Sequence, residues 1–393
     1  MWLKHCGNVH IIDFLFFFLY SLFMIQALKK LDWVLVGAIL LLVIIGLLSI
    51  ASASQARTGV FINFKKQLFF AVMGLILLGT FSFIDYRFFR NYSAIVLALY
   101  ILSVFLLILL LVSGSMVRGT VSWFQFGSPI GKLSFEPVEI VKFVLIVILA
   151  KYFSSRHIDF GLMRHIFISG FYVLIPVALV LLQPDLGSAT LLLIIWVGIM
   201  LVSGIRARHL LALFLIFAVI TGLSWTFFLK DYQRARILTF LKPQRDPLGQ
   251  GYNIAQSIIA IGSGGFWGRG LGHGSQSQLN FLPEQHTDFI WATIAEEWGF
   301  FGAALALVLW GIIFWRLFVI AIGATTNFAR LFIFGFVLLL LVQIAINIGM
   351  NMGFFPVVGI PLPLLSYGGS SLVTTLIAFG VVQNIKINLS SSA

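Results

Sequence analysis

Ten runs of predominantly apolar residues succeed one another after residue 30 of this 393-residue chain, at about 33–53, 67–84, 92–113, 135–153, 166–182, 187–204, 208–229, 290–315, 331–352 and 364–385. A helix needs about 20 such residues to cross roughly 30 Å of hydrocarbon, so each run is a candidate span. The composition agrees, with 60% of residues hydrophobic and 10% charged, where a soluble domain is about a quarter charged. Lipid is the solvent this chain is built for. The expected fold is an all-α integral membrane protein with ten transmembrane helices.

Lys and Arg in short loops set the orientation, because they concentrate on the cytoplasmic side. With Lys29 and Lys30 inside, the same side holds Arg87, Arg90, Lys151, Arg156, Arg164, Arg206, Arg208, Arg316, Arg330 and Lys386, twelve in all; the other side holds five, Arg57, Lys65, Lys66, Arg118 and Lys132. Both ends of the core are therefore expected inside and the long segment 230–289, between the seventh and eighth spans, outside. Residues 11–25 form a further apolar stretch of 15 residues that contains Asp13. That is short for a span, so residues 1–30 are expected to be an N-terminal extension or interfacial segment and 31–393 a single transmembrane domain. Topology also explains the net charge of +12 without nucleic-acid binding. The lone Cys6 excludes an internal disulfide framework and a cysteine-based metal cluster.

Ionisable residues within a span are costly and are functional candidates by default. Glu139 and Lys142 lie three apart on one helical face after Pro137 and can pair. One reading is an internal ion pair that makes buried charge tolerable; the other is that Lys142 faces an anionic substrate and Glu139 holds it. After a basic stretch at Lys230, Arg234, Arg236, Lys242 and Arg245 comes a segment with seven glycines in 13 positions, Gly262 to Gly274, which contains Arg269. Such a backbone is a loop rather than a stable helix, and it matches neither nucleotide-binding glycine spacing. Leu282-Pro283-Glu284-Gln285-His286-Thr287-Asp288 then leads into the eighth span through Glu296 and Glu297. Thr287 or Asp288 is a candidate helix cap, yet Glu284, His286 and Asp288 together offer more polar chemistry than one cap needs. His273 and His286 have no recognised metal spacing, so no metal site is assigned and a divalent cation has no support in the sequence.

Gln276-Ser277-Gln278-Leu279-Asn280-Phe281-Leu282-Pro283-Glu284-Gln285-His286-Thr287-Asp288-Phe289-Ile290 resembles the signature of the SEDS family, the shape, elongation, division and sporulation proteins. Gln183-Pro184-Asp185-Leu186-Gly187-Ser188 and Gly359-Ile360-Pro361-Leu362-Pro363-Leu364-Leu365-Ser366-Tyr367-Gly368-Gly369-Ser370-Ser371 are similar to two further family motifs, and Asn347 and the Glu139/Lys142 pair add to them. The Ser-Gln-Ser-Gln-Leu run and Asp246-Pro247-Leu248-Gly249-Gln250-Gly251-Tyr252 look more like the elongation branch, typified by RodA, than the division branch, typified by FtsW. Two departures stand out. The family's Gln-Pro-Ser-Glu reads Glu136-Pro137-Val138-Glu139, and the Arg that often precedes Trp123 is Ser122, with Arg118 five residues before that Trp as a stand-in.

The resemblance implies a glycosyltransferase of the bacterial cytoplasmic membrane that polymerises lipid II, an undecaprenyl-pyrophosphate-linked disaccharide pentapeptide, into glycan strands at the outer face during cell elongation. A sugar 4-hydroxyl must lose a proton as it attacks an anomeric carbon whose leaving group is a pyrophosphate, so a carboxylate and cations are needed. By resemblance Asp288 matches the catalytic carboxylate; Lys142, Arg118 and Arg269 are candidates for the pyrophosphate, and Glu139, Glu284 and His286 for substrate binding. A class B penicillin-binding protein is the implied partner, beside membrane lipids. The competing readings are a lipid II flippase, which needs polar residues through the full membrane depth, and a scaffold for that partner.

Overall fold

The computed structural model describes residues 29–58, 61–117, 120–127, 131–154, 163–206, 249–279, 281–282 and 284–389, with isolated positions between 207 and 248. In order come helices α1 (Trp33–Thr58), α2 (Ile62–Phe83), α3 (Arg87–Asn91) and α4 (Ser93–Ser113), and strands β1 (Ser115–Val117), β2 (Thr120–Phe126) and β3 (Leu133–Phe135). Helices α5 (Pro137–Ser154), α6 (Met163–Leu182), α7 (Leu186–Val202), α8 (Gln250–Ser263), α9 (Ser275–Gln278), α10 (Ile290–Gly323), α11 (Asn327–Asn351) and α12 (Gly369–Leu389) follow. Seven of these, α1, α2, α4, α6, α10, α11 and α12, are long and apolar enough to cross a membrane. The chain is a mostly helical, multi-pass membrane protein.

Helix α4 shows how an almost uniformly apolar sequence still has two faces. Val96, Tyr100, Ser103, Leu107 and Leu110 are buried, while Leu97, Ile101, Phe105, Ile108 and Val112 are exposed. Both sets recur every three or four residues, the helical period. In water the exposed set would be an aggregation surface; in lipid it is simply solvated. Helix α5 is the opposite case, buried along most of its length because α4, α6, α7, α11 and α12 all pack on it. Its charged residues therefore meet protein rather than lipid.

Close backbone approach shapes two other places. Helix α12 lies along α2 with Gly380 against the carbonyl of Leu78, where a Cβ would overlap. Helix α10 is broken at Gly299, whose φ of 66° places it against Gly268 of the glycine-rich loop with no room for a side chain. That loop runs between α8 and α9, and two acids of α10 hold it. Glu296 accepts the N–H groups of Gln276 at 2.7 Å and Ser277 at 3.0 Å. Glu297 accepts from Ser52 of α1, from Gly272 N–H at 3.2 Å and from Gln278 Nε2 at 3.4 Å.

Several expectations need correction. The fold is not purely helical: Thr120-Val121-Ser122-Trp123-Phe124-Gln125-Phe126, rich in β-branched and aromatic residues, pairs antiparallel with β1 and β3, with Phe124 opposite Phe135 and Phe126 opposite Leu133. Helix α2 starts at Ile62 rather than 67, because Lys66 is satisfied inside the protein by the carbonyl of Lys132 at 2.7 Å. Helix α12 starts at Gly369 rather than 364, since Pro361, Pro363 and a positive φ of 65° at Leu364 keep that segment out of helix. Helix α10 runs on to Gly323. The seventh expected span, the basic stretch from Lys230 to Arg245, Arg118 and residues 1–28 lie wholly or largely outside the described residues.

Candidate active site

A cavity of about 380 Å³ opens where five stretches of chain meet: the start of α2 with Asn63 and Phe70, the β2–β3 hairpin with Glu136, the segment around Asp185, the turn Glu284–Asp288, and the segment from Val358 to Ser371. Each wall is built for its place. Asp185 caps α7 by accepting the N–H of Ser188 at 3.0 Å. Glu136 precedes Pro137, the first residue of α5, and its own N–H donates to Ser370 Oγ at 2.9 Å. Trp123 Nε1–H donates to Glu136 Oε2 at 3.3 Å.

The turn carrying Asp288 is held from outside at three successive carbonyls. His286 O accepts Tyr367 N–H at 2.8 Å, Thr287 O accepts Ser366 Oγ–H at 2.7 Å, and Asp288 O accepts Asn351 Nδ2 at 2.9 Å and Asn347 Nδ2 at 3.2 Å. Within the turn, the N–H groups of Thr287 and Phe289 reach Glu284 O at 3.1 and 3.3 Å. Glu284 adopts φ 55°, a left-handed conformation that costs a non-glycine residue of order 1–3 kcal/mol and persists where surroundings impose it. Fixing a main chain this firmly fixes where its side chains leave it, and Glu284, His286, Thr287 and Asp288 all face the cavity. The cap position of α10 falls on Phe289, which makes no side-chain cap hydrogen bond, one residue beyond Asp288 and two beyond Thr287.

The structure brings together three of the site residues read from sequence, Glu284, His286 and Asp288, and adds Glu136, Asp185, Trp123 and Tyr367. It does not bring in the others. Lys142 Nζ lies 2.8 Å from Glu139 Oε1 with both side chains buried, and neither residue lines the cavity. Arg269 is exposed, donates from Nε to Ser263 O at 3.1 Å, and also stays outside the lining. Among the described lining residues there are four carboxyls, Glu136, Asp185, Glu284 and Asp288, and no Lys or Arg. Among the described residues no group of three His, Cys, Asp or Glu side chains is placed to hold a metal ion. Such a wall offers hydrogen-bond acceptors for hydroxyls, a proton acceptor, and the rings of Trp123 and Tyr367.

Fold and site together define a multi-pass helical membrane protein with a carboxylate-lined cavity at one end of the bundle. Residues 13–391 match the family described as "Cell cycle protein", that of FtsW, RodA and SpoVE, and the chain belongs to this family. It is 37% identical over 355 residues to the peptidoglycan glycosyltransferase MrdB of Escherichia coli K12, covering 90% of this chain and 93% of that protein. It is also 37% identical over 362 residues to stage V sporulation protein E of Bacillus subtilis, covering 90% and 96%. Among solved structures it is similar to a chain of a peptidoglycan synthase complex described as coordinating polymerization and crosslinking, with TM-score 0.77, 35% identity and 91% and 98% of the two chains covered. The rod shape determining protein RodA of Thermus thermophilus matches with TM-score 0.66, 30% identity and 91% and 96% coverage.

Proposed function

We propose that this chain is a peptidoglycan glycosyltransferase that polymerises lipid II at the outer face of the bacterial cytoplasmic membrane. The observation that carries the reading is the cavity itself: it sets Glu284 and Asp288, on a turn anchored at three carbonyls, in one wall system with Asp185 of the second motif, in a chain similar along 90% of its length to a peptidoglycan glycosyltransferase. In this scheme Asp288 takes the proton of the attacking 4-hydroxyl. The oxygen so freed bonds to the anomeric carbon of the growing strand as the bond from that carbon to the pyrophosphate breaks. Glu284 and His286 bind sugar hydroxyls beside it. Arg118, five residues before the wall residue Trp123, is the candidate cation for the pyrophosphate, and Lys142 serves chiefly to neutralise Glu139 within the bundle.

Ten spans, with the seventh in 208–229 and the segment 230–289 outside, complete the proposal; the twelve-to-five charge asymmetry supports that orientation. A cysteine at exposed His273, in a Cys6-free background, should react with an impermeant thiol reagent on intact spheroplasts, and labelling only after lysis would reverse it. The partner is a class B penicillin-binding transpeptidase. The deciding experiment incubates the purified chain with lipid II, with and without that partner, and looks for muramidase-sensitive glycan strands. Strands are expected; lipid II transport across vesicle bilayers without strands would favour a flippase, and neither activity a scaffold.

A further inference from the structure

Glu136 stands between β3 and α5, ahead of the helix that enters the bundle, and lines the cavity beside Trp123, Asp185 and Ser370. Its main-chain N–H donates to Ser370 Oγ and its carboxyl Oε2 accepts from Trp123, so the backbone is held from α12 and the carboxyl from β2. Oε1 has no partner among the described residues and is the oxygen left to whatever fills the cavity. The charged groups around it are Glu139 and Lys142 on α5 and Asp185 at the start of α7. Glu284, His286 and Asp288 face the same cavity from the turn before α10.

Lys142 is committed to Glu139, so a single ammonium stands among three carboxyls. Two further negative charges in a partly desolvated wall are poorly compensated, and the cheaper state carries a proton. Burial pushes the Glu136 carboxyl up to about 8, Glu139 and Asp185 adding to the rise and Lys142 and the Trp123 N–H opposing it.

We propose that Glu136 is a substrate-binding group that works as a neutral acid, its protonated carboxyl donating a hydrogen bond from Oε1 to an oxygen of the anionic lipid-linked substrate. This rests on the polymerase reading above. Ionisation removes the donor and sets a negative charge against an anion, so the loss falls on KM rather than kcat.

The test measures strand synthesis against lipid II concentration, and separately the binding of fluorescent lipid II, for full-length wild type and Glu136→Gln between about pH 6.5 and about pH 9.5. If only the protonated form binds, apparent KM and Kd rise about thirtyfold across that range with a midpoint near 8. Glu136→Gln, whose amide donates at every pH, stays flat on that limb. An equal rise in Glu136→Gln, or no rise in wild type, overturns the proposal. Binding that shows the Glu136 midpoint without any strands counts against the polymerase reading alone.

Discussion

Asn351 donates from Nδ2 to the carbonyl oxygen of Asp288 at 2.9 Å, across 63 residues of sequence. The same amide accepts the N–H of Ala292 at 3.2 Å and donates to Asn347 O at 2.8 Å, so one side chain of α11 sets the start of α10 and the turn before it. Asn351→Ala leaves buried partners unpaired, at about 1–3 kcal/mol. It should lower thermal stability and cut turnover by up to about 10²-fold by misplacing Asp288, with KM for lipid II little changed. A loss confined to KM would show that Asn351 acts on binding instead.

Glu139 and Lys142 are the buried pair of α5, 2.8 Å apart. Removing one partner strands the other charge at about 3–5 kcal/mol, whereas removing both can be nearly neutral. Glu139→Gln and Lys142→Met should each reduce melting temperature and membrane abundance sharply. The double variant should lose less than the two singles summed, and additive losses would mean the charges are not coupled.

Glu296 anchors the glycine-rich loop through two backbone N–H groups of α9. Glu296→Ala should loosen α9 and the chain on either side without unfolding the bundle, read as faster hydrogen exchange over residues 272–282. Exchange that rises equally in α5 and α12 would indicate global destabilisation instead.

Glu136 also predicts a pH dependence of stability. Its folded value of about 8 lies above the ordinary 4.5, so between these values the folded state binds the extra proton. Stability from this group therefore falls as pH rises from about 4.5 towards 8 and levels off above. Glu136→Gln removes that slope. Relative to wild type it should melt higher at about pH 8.5 than it does at about pH 5, and the same difference at both would place the shift elsewhere.

Much of this was legible in the residues. Apolar run length located the long helices, and the motifs at Gln183–Ser188, Glu284–Asp288 and Gly359–Ser371 prove to be three walls of one cavity. The facing of α5 was not legible. With apolar residues on every side, its sequence gives no contrast to say that Glu139 and Lys142 pair away from the cavity while Glu136, one residue before the helix, lines it. Nor did the apolar pattern reveal the β-hairpin that brings in Trp123, because seven residues between two spans read equally well as loop. The enrichment of 120–126 in β-branched (Thr120, Val121) and aromatic (Trp123, Phe124, Phe126) residues was the available signal.

The central claim is that Asp288 accepts the proton in strand synthesis, and Asp288→Asn tests it most directly. The substitution keeps the side chain's shape, and the main-chain anchors at Asn347, Asn351 and Ser366 do not depend on the carboxylate. Removing a positioned base typically costs about 10²–10⁴ in rate. Purified Asp288→Asn protein should therefore melt like wild type, bind fluorescent lipid II and retain its transpeptidase partner, yet make at most about a hundredth of the glycan. Strand synthesis near the wild-type rate by such a well-folded variant would contradict the assignment.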